Sequence, residues 1–178
     1  PVWTGNGFQI GSVTLPILSY DRKGSSAGWV EDLTDFHEEI AGSMHPIDRA
    51  SRKHSIQEMK KHILTPSPLI LEVGCSSGFM LREMRRHLPH AFIMGADYVR
   101  KPLERLAADM PDLPLLQFDM SFCPLPEKSL DAVVLLNVLE HIKDDRAALH
   151  HLHRILRPGG IAILEVPAGP DLYDAYDQ

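Results

Sequence analysis

LILEVGCSSG, residues 69–78, carries an apolar run that ends in an acid, Glu72, and then breaks into small residues. A run of that length bounded by glycine is the form of a buried strand in a parallel sheet, and Gly74 and Gly78 let the backbone turn sharply and approach a ligand closely. The same texture recurs downstream. Residues 91–96, 115–118, 132–136 and 161–166 read as four further strands. Between them lie helical patterns: residues 79–88 with Leu81, Met84 and Leu88 inward, a second carrying Leu103, Leu106, Ala107 and Met110, and a third burying Leu149, Leu152, Ile155 and Leu156. The last is stopped by Arg157-Pro158-Gly159-Gly160, as helix-ending chemistry predicts. Strands alternating with amphipathic helices predict an α/β fold, a doubly wound and mainly parallel sheet flanked by helices. Ligands of such sheets sit beyond the carboxyl ends of the strands, where the strand order reverses.

The N-terminal third has another texture. GFQIGSVTLPILSY, residues 7–20, looks extended, DRKGSSAG is a turn, and two helical stretches follow, one with Val30, Leu33, Phe36 and Ile40 on one side and one with Ile56, Met59 and Ile63. The break comes at the TPSP of residues 65–68. Composition narrows the remaining choices. With 178 residues and 44% hydrophobic content, one packed core is the default, and a net charge of −6 supplies no basic field for nucleic acid or an anionic membrane. Cys75 and Cys123 make neither a disulfide framework nor a zinc spacing, so a reducing, cytoplasmic setting is expected. No run reaches the length of a membrane span, and the opening PVWTGNGFQI lacks the regions of a signal peptide.

The strand ends carry the chemistry. Glu72 precedes glycines four apart, which is not the G-x-G-x-x-G of a dinucleotide fingerprint, so a nicotinamide oxidoreductase lacks its expected signal. Asp97 ends the second strand, where a carboxylate offers two acceptor oxygens to a ribose. Asp119 and Met120 follow the third, where a carboxylate and a backbone N–H suit an adenine edge; Asp after a strand is also a common cap. Asn137, Glu140 and His141 follow the fourth. His141 has the titration range of a general base and equally suits bracing a helix, the blander role being favoured. His150, His151 and His153 flank the buried stripe of their helix and read as a solvated face rather than a metal cluster.

ILEVGCSSG, GADY, FDM, LDAVVLLNVLEHI and ILRPGG, in that order, resemble the class I S-adenosylmethionine-dependent methyltransferases over roughly residues 50–168. The resemblance implies an S-adenosylmethionine cofactor and a small-molecule methyl acceptor. It assigns Glu72, Gly74 and Gly78 to the methionine part, Asp97 with the adjoining Tyr98 to the ribose, Asp119 and Met120 to the adenine, and the backbone of Asn137 to the methionine end. Cys75 lies within the same cofactor loop, at a variable position with no implied nucleophilic role. Metal-using relatives carry a further Glu where this chain has Asn137, so no metal is expected. Residues 1–67 then form an N-terminal extension with a strand-like segment and lid helices, and 68–178 the cofactor-binding domain. That domain is expected to be short at its C-terminal end, because VPAGPDLYDAYDQ is too brief for the helix and strand pair that usually follow. The exposed sheet edge is expected to be covered by the segment 7–20 or by a second subunit in a homodimer. A cofactor-binding module that no longer catalyses, serving as a regulatory subunit, is the alternative function.

Overall fold

The chain folds around a six-stranded sheet whose every neighbouring pair is parallel, and the computed structural model describes residues 1–20 and 45–168. The first strands are short: β1 (Val2–Trp3), β2 (Phe8–Ile10) and β3 (Val13–Leu15) make an antiparallel meander, and β4 (Ile17–Ser19) leaves it for the main sheet. Helix α1 (Pro46–His62) follows, with proline in its first turn, where a missing N–H does no harm. Then come β5 (Leu69–Val73), α2 (Phe79–His87), β6 (Phe92–Asp97), α3 (Arg100–Asp109), β7 (Leu115–Gln117), β8 (Leu130–Leu136), α4 (Asp145–Ile155) and β9 (Leu156–Glu165). Single 3-10 turns cover Met120–Phe122 and Leu139–His141. The α/β doubly wound fold anticipated from the apolar runs is the fold observed.

Strand order is β4-β7-β6-β5-β8-β9. The chain therefore runs outward from β5 to one side and then returns to the other, which places the reversal at the carboxyl ends of β5 and β8. Strand alternation divides the core between two faces. Ile70, Ile93, Leu115, Ala132 and Val134 meet Ile56 and Met59 of α1 with Leu81, Met84, Leu103 and Leu106 of α2 and α3. Leu71, Val73, Leu116, Val133 and Leu135 meet Ala148, Leu152 and Ile155 of α4, together with Phe8 of the meander. Ile17, Ile56 and Met59 thus share one core with Ile70 and Leu81, on either side of residue 67.

Three expectations change. The buried stripe of α4 is Ala148, Leu152 and Ile155, with Leu149 39% exposed. Asp144 caps the helix by accepting from the Ala147 amide and so sets a phase in which a small alanine faces the sheet. Arg157-Pro158-Gly159-Gly160 follows the helix but already lies within β9, which begins at Leu156 and pairs irregularly with β8 between Leu130 and Ala132. Pro158 is tolerated because β9 is the end strand of the described sheet, where a missing N–H breaks no ladder on the outer side. The N-terminal segment does join an edge, but that edge is β7, at the opposite side of the sheet from β9. The helix expected around Val30, Leu33, Phe36 and Ile40 lies outside the described residues.

The amino end of the sheet is closed by Asp131. Its Oδ2 accepts from the Leu69 amide at 2.8 Å, and Arg157 Nη1 donates to both oxygens at 2.9 and 2.8 Å, tying the starts of β5, β8 and β9 together.

Candidate active site at the carboxyl ends of the strands

Because Ile70 faces α2, Glu72 must face it too, and its side chain lies buried under the start of that helix. The Leu81 backbone amide hydrogen-bonds to the carboxylate, while Oε2 is buried with no partner among the described residues. Burial raises its pKa well above the usual carboxylate range, and the neighbouring Asp97 charge raises it further; Arg52 and the Leu81 amide act in the opposite sense. A buried acid whose ionisation is disfavoured by burial and by a second acid would take up its charge most readily with a cation beside it.

The loop after β5 is shaped by its glycines. Gly74, Ser76 and Gly78 have φ of 73°, 42° and 72°, in the left-handed region that disfavours side chains. A Cβ on Gly74 would run into Val138, and one on Gly78 would meet Leu106 Cδ2 at 2.6 Å. Gly78 is also the N-cap of α2, with no side-chain cap and no acid in the first turn, so the positive end of the helix faces the loop. Cys75 stands in this loop with its side chain turned inward. Its amide donates to Ala96 O at 3.0 Å, and its buried thiol lies over Gly95 in the core, so the side chain supports the loop from beneath instead of lining it.

Asp97 is buried at the end of β6 and faces the same side as Glu72. Its Oδ2 accepts from the Ser76 amide at 3.0 Å and its Oδ1 from the Val99 amide at 2.8 Å, bracing the glycine loop against β6. Each carboxylate oxygen can accept more than one such bond. Tyr98 is half-buried beside it, its carbonyl accepting from Gln117 Nε2 at 3.2 Å. Past β7, Asp119 Oδ1 accepts from the Ser121 amide at 2.8 Å and caps the first 3-10 turn, and the Met120 side chain is in the core. Asn137 is exposed at the end of β8 with φ of 53°, its amide donating to Glu165 O at 3.0 Å. Three adjacent strands set these residues side by side, with Asp97 the last residue of β6 and Gly74 and Asn137 just beyond the ends of β5 and β8.

His141 ends the second 3-10 turn, half-buried, its amide donating to Val138 O at 3.1 Å. The three histidines of α4 do not converge. His150 and His153 are exposed, and His151 is half-buried with Nδ1 accepting from Arg154 Nε at 3.3 Å; burial first, then Arg154 and His150, push its pKa down. Among the described residues no group of three or more His, Cys, Asp or Glu is arranged to hold a metal, and no helix is long and apolar enough to cross a membrane.

Two residues near the loop were not read as functional from the sequence. Arg52 of α1 places its guanidinium 5.5 Å from the ring centroid of Phe79, the first residue of α2. Its neighbour Ser51 donates to Glu165 Oε1 at 2.6 Å, fastening this part of α1 to the end of β9. The signal was present: Arg52 continues the Ile56, Met59 and Ile63 stripe by one turn, so a cation stands where the stripe calls for a buried residue.

Residues 71–164, just over half of the chain, match the family model described as a methyltransferase domain. A probable S-adenosylmethionine-dependent methyltransferase of Mycolicibacterium smegmatis is 29% identical over 101 residues, which cover 55% of this chain and 37% of that protein. A mitochondrial arginine-hydroxylase of Rattus norvegicus is 29% identical over 108 residues, covering 60% of this chain and 31% of that one. The chain thus spans about a third of the length of these curated relatives. Among solved structures, DesVI of Streptomyces venezuelae has the same fold, with a TM-score of 0.64 at 20% identity over 80% of this chain and 59% of that chain.

Proposed function

The chain belongs to the methyltransferase-domain family, the class I S-adenosylmethionine-dependent methyltransferases, and from that premise we propose that it binds S-adenosylmethionine beyond the ends of β5, β6 and β7 and methylates an oxygen, nitrogen or carbon atom of a small-molecule acceptor. The observation that carries this reading is Glu72 Oε2, buried beside Asp97 and without a partner among the described residues. The group fits the residues present: an amino-acid ammonium and a sulfonium meet a locally acidic pocket, and the corresponding carboxylate meets the uncapped start of α2.

When bound, S-adenosylmethionine supplies an electrophilic methyl on a sulfonium, whose C–S electron pair leaves with the sulfur as the acceptor lone pair forms the new bond. What the chain contributes is alignment, which in a two-body displacement is a large part of the barrier. Glu72 takes the ammonium, Gly74 and Gly78 keep the loop low beneath the methionine part, and Asp97 receives the ribose hydroxyls on lone pairs not used by Ser76 and Val99, with Tyr98 adjoining. Asp119 receives the adenine amino group, the backbone of Met120 meets the ring, and the backbone of Asn137 borders the methionine end. Cys75 holds the loop up from below. His141 is the side chain that would receive a proton from an acceptor that carries one. A pH–rate profile of His141→Gln that loses its acidic limb supports that role, and an unchanged limb removes it.

Thermal denaturation with ligand tests the reading as a whole. S-adenosylhomocysteine at a hundred times its dissociation constant is expected to stabilise the chain by about 2.7 kcal/mol, and NAD to leave it unchanged. Stabilisation by NAD and not by S-adenosylhomocysteine would overturn it.

A further inference from the structure

We infer that the N-terminal segment 1–20 is part of the nucleoside half of the site, with Ser19 of β4 and Gln117 of β7 as positioning residues that fix the bend at Asp97, Tyr98 and Val99 on which the ribose is held. The inference rests on the reading of this site as an S-adenosylmethionine site. It gives a role in ligand binding to a segment outside residues 71–164, the part of the chain that matches the family model.

β4 reaches the site through its register. Ser19 pairs with Gln117 and Gln117 with Asp97, so the three residues stand in one row across β4, β7 and β6. Partners in a parallel ladder point to the same face of the sheet, here the face on which Leu103 and Leu106 of α3 pack with Ile17 and Leu115. The ladder continues one residue past the strand, where the Tyr20 amide donates to Gln117 O at 2.8 Å. On the other face, Phe8 of the meander is buried in the same core as Leu116, Phe118 and Met120, the residues on either side of Asp119. The N-terminal segment thus supports the end of β7 from both faces.

The side chains of this row are joined by hydrogen bonds that run in one direction. Arg100 Nη1 donates to Ser19 Oγ at 2.6 Å, Ser19 Oγ donates to Gln117 Oε1 at 3.0 Å, and Gln117 Nε2 donates to Tyr98 O at 3.2 Å. An arginine can only give, whereas a hydroxyl receives and gives at once, so Ser19 passes its own proton onward and turns the Gln117 amide with its nitrogen toward Tyr98. Arg100 is held in turn by Glu104, which accepts from its Nε at 2.9 Å. The bend after β6 is therefore gripped twice: the Asp97 carboxylate accepts from the Val99 amide at 2.8 Å, and the Tyr98 carbonyl accepts from Gln117. Removing the Ser19 hydroxyl frees the Gln117 amide to turn and loosens the second grip. A carboxylate that has to meet two ribose hydroxyls with its remaining lone pairs tolerates little displacement.

Calorimetric titration of the full chain with S-adenosylhomocysteine and with its 2′,3′-dideoxy analogue tests the assignment, because the two ligands differ only in the ribose hydroxyls. The unaltered chain is expected to prefer the first by about tenfold or more. In Ser19→Ala and in Gln117→Leu that preference is expected to shrink to about threefold or less, through weaker binding of S-adenosylhomocysteine, while affinity for the dideoxy analogue changes by less than about twofold. Ser19 is exposed, so the alanine leaves the core intact. Ser19→Thr, which keeps the hydroxyl on a residue suited to a strand, is expected to retain the preference. If both variants weaken the two ligands equally, or neither ligand, the row is a structural brace and the inference alone is wrong. If the unaltered chain binds neither ligand, the site reading fails and the inference with it; equal binding of the two overturns the assignment of Asp97 to the ribose, and the inference falls with that assignment.

Discussion

Asp131 and Glu72 are both buried carboxylates on neighbouring strands, one at the start of β8 and one near the end of β5, and their surroundings differ in one respect. Asp131 is closed: an amide and an arginine occupy both of its oxygens. Glu72 has one oxygen buried without a partner among the described residues, and a second acid raises the energy of ionising it. A buried polar group with every bond made holds structure, and one left short calls for an explanation, which the proposed cofactor supplies. Asp131 is thus part of a finished network, while at the carboxyl end Glu72 is left short beside an Asp97 whose two oxygens both accept backbone hydrogen bonds.

The comparison breaks most readily at Asp131. Asp131→Ala leaves the Leu69 amide without its acceptor and Arg157 without its partner, and is expected to cost about 2–3 kcal/mol in denaturant unfolding. Affinity for S-adenosylhomocysteine in the protein that remains folded should not change. A loss of affinity equal to that of a pocket variant would mean that the two ends are not separable.

Glu72→Gln should do the reverse, losing about 1.5–3 kcal/mol of S-adenosylhomocysteine binding while leaving a folded protein. It should also change how stability depends on pH. The folded-state pKa of Glu72 is raised, so its protonated form is favoured by the fold. Its stabilising contribution is complete below the unfolded value and is lost as pH rises through the folded one. The wild-type chain should therefore lose stability relative to Glu72→Gln on going from acid toward neutral pH. Parallel melting curves across that range would contradict the assignment.

The exposed pair Arg85–Asp112 sharpens the comparison from the other side, since its bidentate contact resembles that of Asp131 but lies in water. A double-mutant cycle should give about 0–1 kcal/mol. Arg85 lowers the Asp112 pKa, so this small contribution is present above the unfolded value and is lost as pH falls through the folded one. A coupling as large as that at Asp131 would show that hydrogen-bond count, and not burial, sets the difference.

Much of this was legible in the residues. Parallel strands buried on both faces have to be continuous apolar runs, so LILEV and LDAVVLL announce themselves, and the acids and amide at the strand ends stand on the side where such sheets take their ligands. The phase of α4 was not, because Ala148 carries too little apolar surface to stand out beside Leu149. The start of β9 was hidden behind Pro158 and Gly159, which read as punctuation and which an end strand tolerates. Cys75 could be placed in the loop, but which way its thiol turns depends on Gly95 across the sheet. The roles of Arg52 and Asp131 depend on partners 20 or more residues away, and no local pattern announces such a meeting.

Calorimetric titration of S-adenosylhomocysteine into the chain and into Glu72→Gln tests the central claim most directly. Micromolar binding, on the order of −8 kcal/mol, that falls at least about tenfold in a variant with an intact melting transition is the predicted result. Equal affinity in the two proteins, or no binding to the unaltered chain, would contradict it.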